Sequence, residues 1–522
     1  MSFSASVRAL RIASVCPRSP GHTRMRTQKG TNCMSLREKL NERLDRAERL
    51  SKESGTERGK ALRTSVPRES HAVWEPRLDR PDPVALLRSQ GKTRVQELLP
   101  LRYERMSASA FTFYRGGALI MASDLSEIPT TGVVVQACGD AHISNFGLFS
   151  SPERRTVFDI NDFDETLPGP WEWDVKRLAT SVEICGRDNG FSKKKRKAAV
   201  LACVRGYREG MAQFANMGHL DVWYEHLDVD ELREKVATDL NAKNRQEADK
   251  AIAKAKGKNN ARAIRKLTEV KDGQLRIVSD PPIVVPMREL IQQKAPGLVA
   301  EHFDAQAVER LVCAVLAEYR STLDPHKQLL VSEYKPVDVA HKVVGVGSVG
   351  TRAWIVVMQG ADENDPLVLQ VKEAQESVLE RFLGKSKFKQ HGQRVVEGQR
   401  SIQTASDMLL GWCRMPGLDG KRKDYYVRQL WNGKGSIDLS LLGPKQLEKL
   451  ACACGWTLAR AHARTGDRFA ISAYLGNSDK FDKAIADFAD VYANQNEVDY
   501  QRFMKALEAG ELVDETMTMQ AE

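Results

Sequence analysis

The chain has 522 residues, 42% hydrophobic and 28% charged, with a formal net charge of +10. That is soluble globular composition, long enough for two or three domains, and no stretch approaches the roughly 20 apolar residues that cross a bilayer. The nine cysteines are odd in number and lack paired metal-ligand spacing. The closest pair, Cys452 and Cys454, falls in an Ala-rich helical stretch, so a reduced, cytoplasmic setting is expected.

In chain order, residues 1–33 are rich in Arg and Ser and poor in acid, superficially like a transit peptide. A more regular segment begins at Met34, which makes the true start either Met1 or Met34. Residues 1–70 are expected to be a mobile or partly helical extension. From Pro83 to Leu125, Arg and Leu recur at helical spacing. Val133-Val134-Val135 then reads as a short strand. Phe146 to Phe149 and Thr156 to Ile160 flank a Ser-Ser-Pro-Glu-Arg-Arg turn, the pattern of a hairpin. Residues 172–225 and 285–325 are again helical in pattern, and 228–270 is a charged, Ala- and Lys-rich exposed helix pair or insertion. Lys193-Lys194-Lys195-Arg196-Lys197 opens a helical pattern and reads as a solvated face, so a nucleic-acid partner is not expected.

Near Lys342 the character changes. HKVVGVGSVGTRAWIVVMQG alternates β-branched residues with glycines, and DPLVLQVKEA supplies a further strand. Helical patterns follow at about 393–408 and 444–464, separated by the strand-like Tyr425 to Leu430, and 478–510 reads as amphipathic helix. The expected organisation is an extension (1–70), a mainly helical lobe with an acid-rich hairpin (71–335), a small β-rich lobe (336–435) and a C-terminal helical segment (436–522).

Two groups of residues carry chemistry. The first is GDAHISNFGLFSSPERRTVFDINDFDETLPGPWEWD, from Gly139 to Asp174. Acids are depleted from strands, so their density here points to a cation or a proton. In a phosphoryl-transfer loop an Asp orients or deprotonates the attacking hydroxyl, an Asn a few residues on binds magnesium, and a second Asp follows on a hairpin. Asp140, Asn145 and Asp162 have that order. Asp159 is a rival for the hairpin ligand and Asp164 a possible second-site ligand, while His142 is expected to be a hydrogen-bonded loop residue. The second group is Gly345-Val346-Gly347-Ser348-Val349-Gly350 between strand patterns, where Gly345, Gly347, Ser348 and Gly350 would bring backbone amides to phosphate. Lys372 follows on a strand, and helical Glu397 is its expected partner, with Glu376 and Glu380 nearer in sequence. Tyr425 to Leu430 would be the hinge strand that holds adenine.

The loop Cys138-Gly139-Asp140-Ala141-His142-Ile143-Ser144-Asn145 resembles that of the aminoglycoside phosphotransferase branch of the protein-kinase-like superfamily, departing at Cys138, where those proteins have His. By the same resemblance, Gly169-Pro170…Asp174-Val175 is the segment whose Asp, here Asp174, braces the catalytic loop from a helix N-terminus. Phe113-Tyr-Arg-Gly-Gly-Ala, FDINDFDETLPGPWEWDVKRLATS, RVVEGQR and ARAHARTGD closely resemble the bacterial family known as domain of unknown function 2252, generally grouped with the kinase-like superfamily. The resemblance implies an α+β, kinase-like two-lobed fold. Because the glycine segment follows the acidic loop, that fold would be circularly permuted. It also implies ATP and magnesium as cofactors and an unknown hydroxylated metabolite or protein as acceptor. A catalytically silent nucleotide sensor is the alternative. A two-metal phosphoesterase built on Asp140-x-His142 is a weaker one, since Gly476-Asn477 is followed by Ser478 rather than His.

Overall fold

The computed structural model describes residues 51–230, 260–271, 274–293, 305–343, 349–362, 364–416 and 421–512, with a few isolated positions between them. The fold is a mixed α+β arrangement with several antiparallel sheets. Helices α1 (Lys52–Ser65), α2 (Pro83–Gly91), α3 (Leu99–Ser107), α4 (Ala110–Gly116) and α5 (Ala118–Leu125) come first. Strand β1 (Val134–Ala137) leads into the acidic loop, the hairpin β2 (Phe146–Ser150) and β3 (Thr156–Ile160) follows, and β4 (Leu167–Pro170) returns to pair with β1. Then come α6 (Trp171–Asp188), α7 (Lys193–Ala215), α8 (His219–Tyr224) and the short β5 (Leu227–Asp228), which pairs with β3.

The middle of the chain supplies α9 (Asn260–Leu267), the hairpin β6 (Thr268–Lys271) and β7 (Gln274–Ile277), β8 (Val284–Pro286), α10 (Met287–Gln292), α11 (Ala305–Ser321) and α12 (Pro325–Ser332). A six-stranded antiparallel sheet follows, in the order β12-β13-β11-β10-β9-β8. Its remaining strands are β9 (Lys335–Lys342), β10 (Ala353–Gln359), β11 (Pro366–Ala374), β12 (Gly411–Pro416) and β13 (Arg422–Gln429). The short α13 (Glu380–Leu383) and α14 (His391–Ile402) lie between β11 and β12. The chain ends with α15 (Pro444–Thr465), α16 (Arg468–Leu475) and α17 (Lys480–Glu508).

Period-two alternation gives this sheet two apolar faces. Trp354, Val356 and Val371 pack with Met287, Leu290 and Val308 of α10 and α11, whereas Ile355, Val357 and Val368 pack with Ala263 and Leu267 of α9. The sheet therefore extends upstream of the expected boundary at residue 336. Its edge strand β8 and its covering helices come from the segment assigned by pattern to the helical lobe. A larger core gathers α6, α7, α15 and α17 around the first acidic segment. Trp171 stacks on Tyr207 there at 5.6 Å between centroids and 5° between planes.

Helix α1 docks on α16, with Arg58 paired to the buried Asp467 and Arg63 Nε donating to the Tyr474 carbonyl at 3.0 Å. Residues 51–65 of the expected extension thus belong to the fold, and 1–50 lie outside the described residues. The basic run at the start of α7 pairs with α17 and α6, through Lys193 with Asp490, Lys197 with Asp487 and Arg196 with Glu183. The expected insertion at 228–270 lies largely outside the described residues, and its described end is α9. Cys454 is buried and Cys452 half-buried, both as free thiols. Among the described residues no helix is long and apolar enough to cross a membrane.

Candidate functional site

The acidic loop is held by buried groups beneath it. Gly139 has φ +84°, a conformation that favours glycine, and a Cβ there would stand 2.3 Å from the Glu165 carbonyl oxygen. Asp174, in the first turn of α6, accepts the Cys138 amide at 2.6 Å on Oδ2 and the Gly139 amide at 2.9 Å on Oδ1. His462 Nε2 reaches the same carboxylate at 3.2 Å, and its Nδ1 meets the Tyr207 hydroxyl at 2.8 Å. The brace expected of Asp174 is therefore the contact that the structure contains, with His462 and Tyr207 behind it. The loop closes on itself: the Asn145 side-chain amide donates to the Asp140 carbonyl at 2.7 Å, and the Asn145 backbone N–H to the His142 carbonyl at 2.8 Å.

The Asp140 carboxylate keeps 18% of its side-chain exposure and is bound by Arg177, with Nε 2.9 Å from Oδ1. Burial raises its pKa against the pull of Arg177, the direction that suits a proton acceptor. His142 Nε2 lies 3.7 Å from Asp140 Oδ2. Burial, with Arg115 and Arg177 nearby, holds the imidazole well below its ordinary pKa, so it is neutral.

The hairpin acids separate by environment. Asp159 is fully buried: both carboxylate oxygens accept from Arg460 Nη2, at 2.7 and 2.6 Å, and Oδ2 also accepts the Thr404 amide at 2.7 Å. Its bonding capacity is filled by the protein, which removes it as a rival metal ligand. Asp162 is half-buried, and the hydrogen bond to its carboxylate is a long one, 3.3 Å from the Asp164 amide. Asp164 binds Lys372 directly and accepts the Tyr426 hydroxyl at 2.8 Å. Burial pushes Asp164 up, but Lys372 outweighs it and holds the carboxyl at about 2. Asp164 is thus a counter-ion first, rather than an open second-site ligand.

Lys372 lies 208 residues from Asp164 in sequence and opposite Tyr426 in the β11–β13 register. Burial lowers its pKa, yet Asp162 and Asp164 overcome that and raise it above the ordinary value. Glu397 is not its partner. That carboxylate pairs with Arg400 one turn along α14, at 3.2 Å, while the lysine pairs with Asp164 of the acidic segment. The link from α14 to the acidic segment is made instead by Arg394, which donates to the carbonyls of Thr166, Asp164 and Gln375 at 2.7 to 2.8 Å. Glu380 lies 3.5 Å from Arg394 Nε, and Glu376 pairs with Lys385.

Gly350 has φ +87° and its carbonyl accepts the Val95 amide at 2.8 Å. A Cβ on Gly350 would meet Arg94 at 3.0 Å, whereas one on Gly345 would meet nothing within 4 Å among the described residues. Gly347 and Ser348 lie outside the described residues. Beyond β13, the chain runs along the hairpin, with the Ser150 amide on the Asn432 carbonyl at 2.9 Å and Leu148 and Gly435 exchanging bonds at 2.8 Å. This brings Lys434 toward the acids. Burial and Arg428 lower its pKa to about 7 against the attraction of Asp162.

The structure therefore brings together Asp140, Asn145, Asp162, Asp164 and Lys372, and it sets apart Asp159 and Glu397. Among the described residues no three His, Cys, Asp or Glu side chains form a metal cage. Pattern reasoning did not single out Arg177, Arg394, Arg460, His462 or Lys434. The ARAHARTGD and RVVEGQR segments carried three of them, Arg394, Arg460 and His462, as basic residues of helical stretches, without showing which face met the acids. A cleft of about 840 Å³ adjoins the site, lined by Arg94, Glu165, Arg352, Glu373 and Lys423 among others.

No curated protein and no solved structure matches the sequence. The loop, its brace and the lysine strand all fall within residues 94–506, the span matched by the family model for uncharacterized proteins conserved in bacteria (DUF2252), and the chain belongs to that family.

Proposed function

We propose that the protein is an ATP- and magnesium-dependent phosphotransferase of kinase-like, two-lobed and circularly permuted fold, acting on a small hydroxylated metabolite or a protein. The observation that carries this is the Lys372–Asp164 contact, which joins the lysine strand to the acidic loop across 208 residues of chain. The order of strand, glycine segment, strand, lysine strand, helix and hinge strand also agrees with a nucleotide-binding lobe. Asp140 would take the acceptor's proton, helped by its raised pKa. Asp162 suits magnesium because its carboxylate is half-buried and only weakly engaged. Asn145 suits it because its amide N–H₂ is spent on Asp140, and its oxygen accepts no hydrogen bond among the described residues. Bound nucleotide and metal would supply the phosphoryl group and neutralise its charge. Lys372 would hold the phosphates once released from Asp164, and Arg428 and Lys434 add positive charge beside the same acids.

The test is thermal stability with ATP and magnesium. The wild-type melting temperature rises, and Asp162→Ala removes the rise. A wild-type protein that does not respond refutes the proposal. The silent-sensor alternative is favoured by one observation, the occupation of Lys372 by Asp164. Binding of ATP with neither hydrolysis nor transfer across a metabolite panel would select it.

A further inference from the structure

The motif Phe113-Tyr114-Arg115-Gly116-Gly117-Ala118 lies outside both sets of residues so far given a role, yet it ends beside the acidic loop. Two buried guanidiniums fix its backbone. Arg177 Nη2, which also lies 2.8 Å from Asp140 Oδ1, donates to the Tyr114 carbonyl at 2.8 Å, and Arg102 donates to the Gly116 carbonyl at 3.3 Å. The Tyr114 ring lies under the Arg177 guanidinium at 3.9 Å, and its hydroxyl donates to the Arg177 carbonyl at 2.9 Å. Gly116 is packed so closely that a Cβ would stand 2.7 Å from Met106. Between these pinned carbonyls sits Arg115, at the end of α4.

Arg115 is half-buried, and among the described residues its guanidinium makes no hydrogen bond or ion pair. Its Nε is buried and has no partner. The carboxylates that act on it are those of Asp140 and Asp162, neither close enough for an ion pair. Lys372 and Asp164, by contrast, feel Arg428. A desolvated guanidinium N–H left unpaired is costly, and so firmly built a setting for it points to a ligand.

We propose that Arg115 binds the phosphoryl group in transit, as an arginine supplied in cis. This inference rests on the phosphotransferase reading. Asp140 marks where the acceptor hydroxyl loses its proton and Asp162 where the metal and phosphates sit, so a group facing both faces the path between them. In the transfer, the acceptor oxygen bonds to the terminal phosphorus of the nucleoside triphosphate and its proton goes to Asp140. The bond from that phosphorus to the bridging oxygen breaks, and its electron pair leaves with the nucleoside diphosphate. Arg115 forms no covalent bond. Its planar fork matches the equatorial oxygens, whose charge it stabilises.

The probe is fluoroaluminate titrated onto the full chain with saturating ADP and magnesium, read by melting temperature. Wild type is expected to gain stability from ADP–magnesium and more from fluoroaluminate. Arg115→Ala keeps the first gain and binds fluoroaluminate about a hundredfold more weakly or worse. Arg115→Lys, which keeps charge without the fork, recovers only part. Equal fluoroaluminate affinity in wild type and Arg115→Ala overturns the role of Arg115 and leaves the phosphotransferase reading standing. A wild-type protein indifferent to ADP–magnesium and ATP–magnesium overturns both. Arg115 gives up no hydrogen bond when truncated, and circular dichroism of the ligand-free variant checks that it is folded.

Discussion

Asp174→Ala tests the support of the acidic loop. Wild-type Asp174 is 1% exposed and accepts three donors: the Cys138 and Gly139 amides and His462 Nε2, itself fully buried. Alanine leaves all three without an acceptor and out of reach of bulk water. At about 1–3 kcal/mol for each orphaned donor the gross loss is roughly 3–9 kcal/mol, and relief from burying a carboxylate returns several of these. A net loss of about 4 kcal/mol corresponds to a roughly thousandfold rise in the opening equilibrium. The assay is hydrogen exchange by mass spectrometry on peptides covering residues 134–146. These should exchange about a thousandfold faster, while peptides from α17, which does not touch Asp174 through any of the three bonds, keep their rates. His462→Phe removes one bond of the three and should give a smaller acceleration, on the order of tenfold. Protection of 134–146 that changes less than tenfold in Asp174→Ala would refute the assignment of Asp174 as the brace.

Asp159→Asn breaks the buried pair with Arg460 and should cost about 3–5 kcal/mol while leaving the thermal response to ATP–magnesium in place; loss of that response in a folded variant would restore Asp159 as a ligand. Glu165→Gln addresses pH. Burial raises the Glu165 carboxyl from 4.5 to about 7, so between those values the folded protein holds a proton that the unfolded chain has released. Stability therefore falls as pH rises through that window, by at most about 3 kcal/mol. Glutamine keeps an acceptor for the Val378 amide, now 2.7 Å from Glu165 Oε2. The variant should melt higher than wild type at pH 8 and alike at pH 5, and parallel melting curves across the range would contradict this. Gly139→Ala sets a Cβ against the Glu165 carbonyl at positive φ and should cost more than about 2 kcal/mol in urea unfolding; a neutral result would mean that the two segments do not approach as described.

Local order in the sequence was informative wherever a residue's partner lay nearby or in the backbone. Gly139, Asp140, Asn145 and Asp174 fall within one short stretch; the order of the loop residues was read from the residues themselves, and the brace role of Asp174 from the resemblance to kinase-like loops. The strands of the central sheet were readable because both its faces are apolar and its ends carry turn residues. Asp159 was not readable, because every residue of β3 is buried; with cover on both sides, alternation no longer separates a core position from a cleft position. Its partner Arg460 is 301 residues away. Glu397 failed for a related reason. A helix offers several faces, and α14 turns Arg394, three residues earlier, toward the acids. The α9–α11 region carried no sign of its sheet, since the three residues of β8 are too few to show a period.

The dependence of the acidic segment on later residues bears on how the chain is made. Between residues 139 and 174 lie buried or half-buried carboxylates whose compensating groups, Lys372, Arg460 and His462, leave the ribosome hundreds of residues afterwards. Uncompensated, each such charge costs several kcal/mol to desolvate, so the nascent hairpin stays hydrated and open. The part of the protein translated early is thus among the last to close, and a chain truncated before α15 lacks both the Arg460 partner of Asp159 and the His462 contact of Asp174. The requirement is built into the acids themselves: the loop that the chain begins early is shut by groups that arrive with β11 and α15.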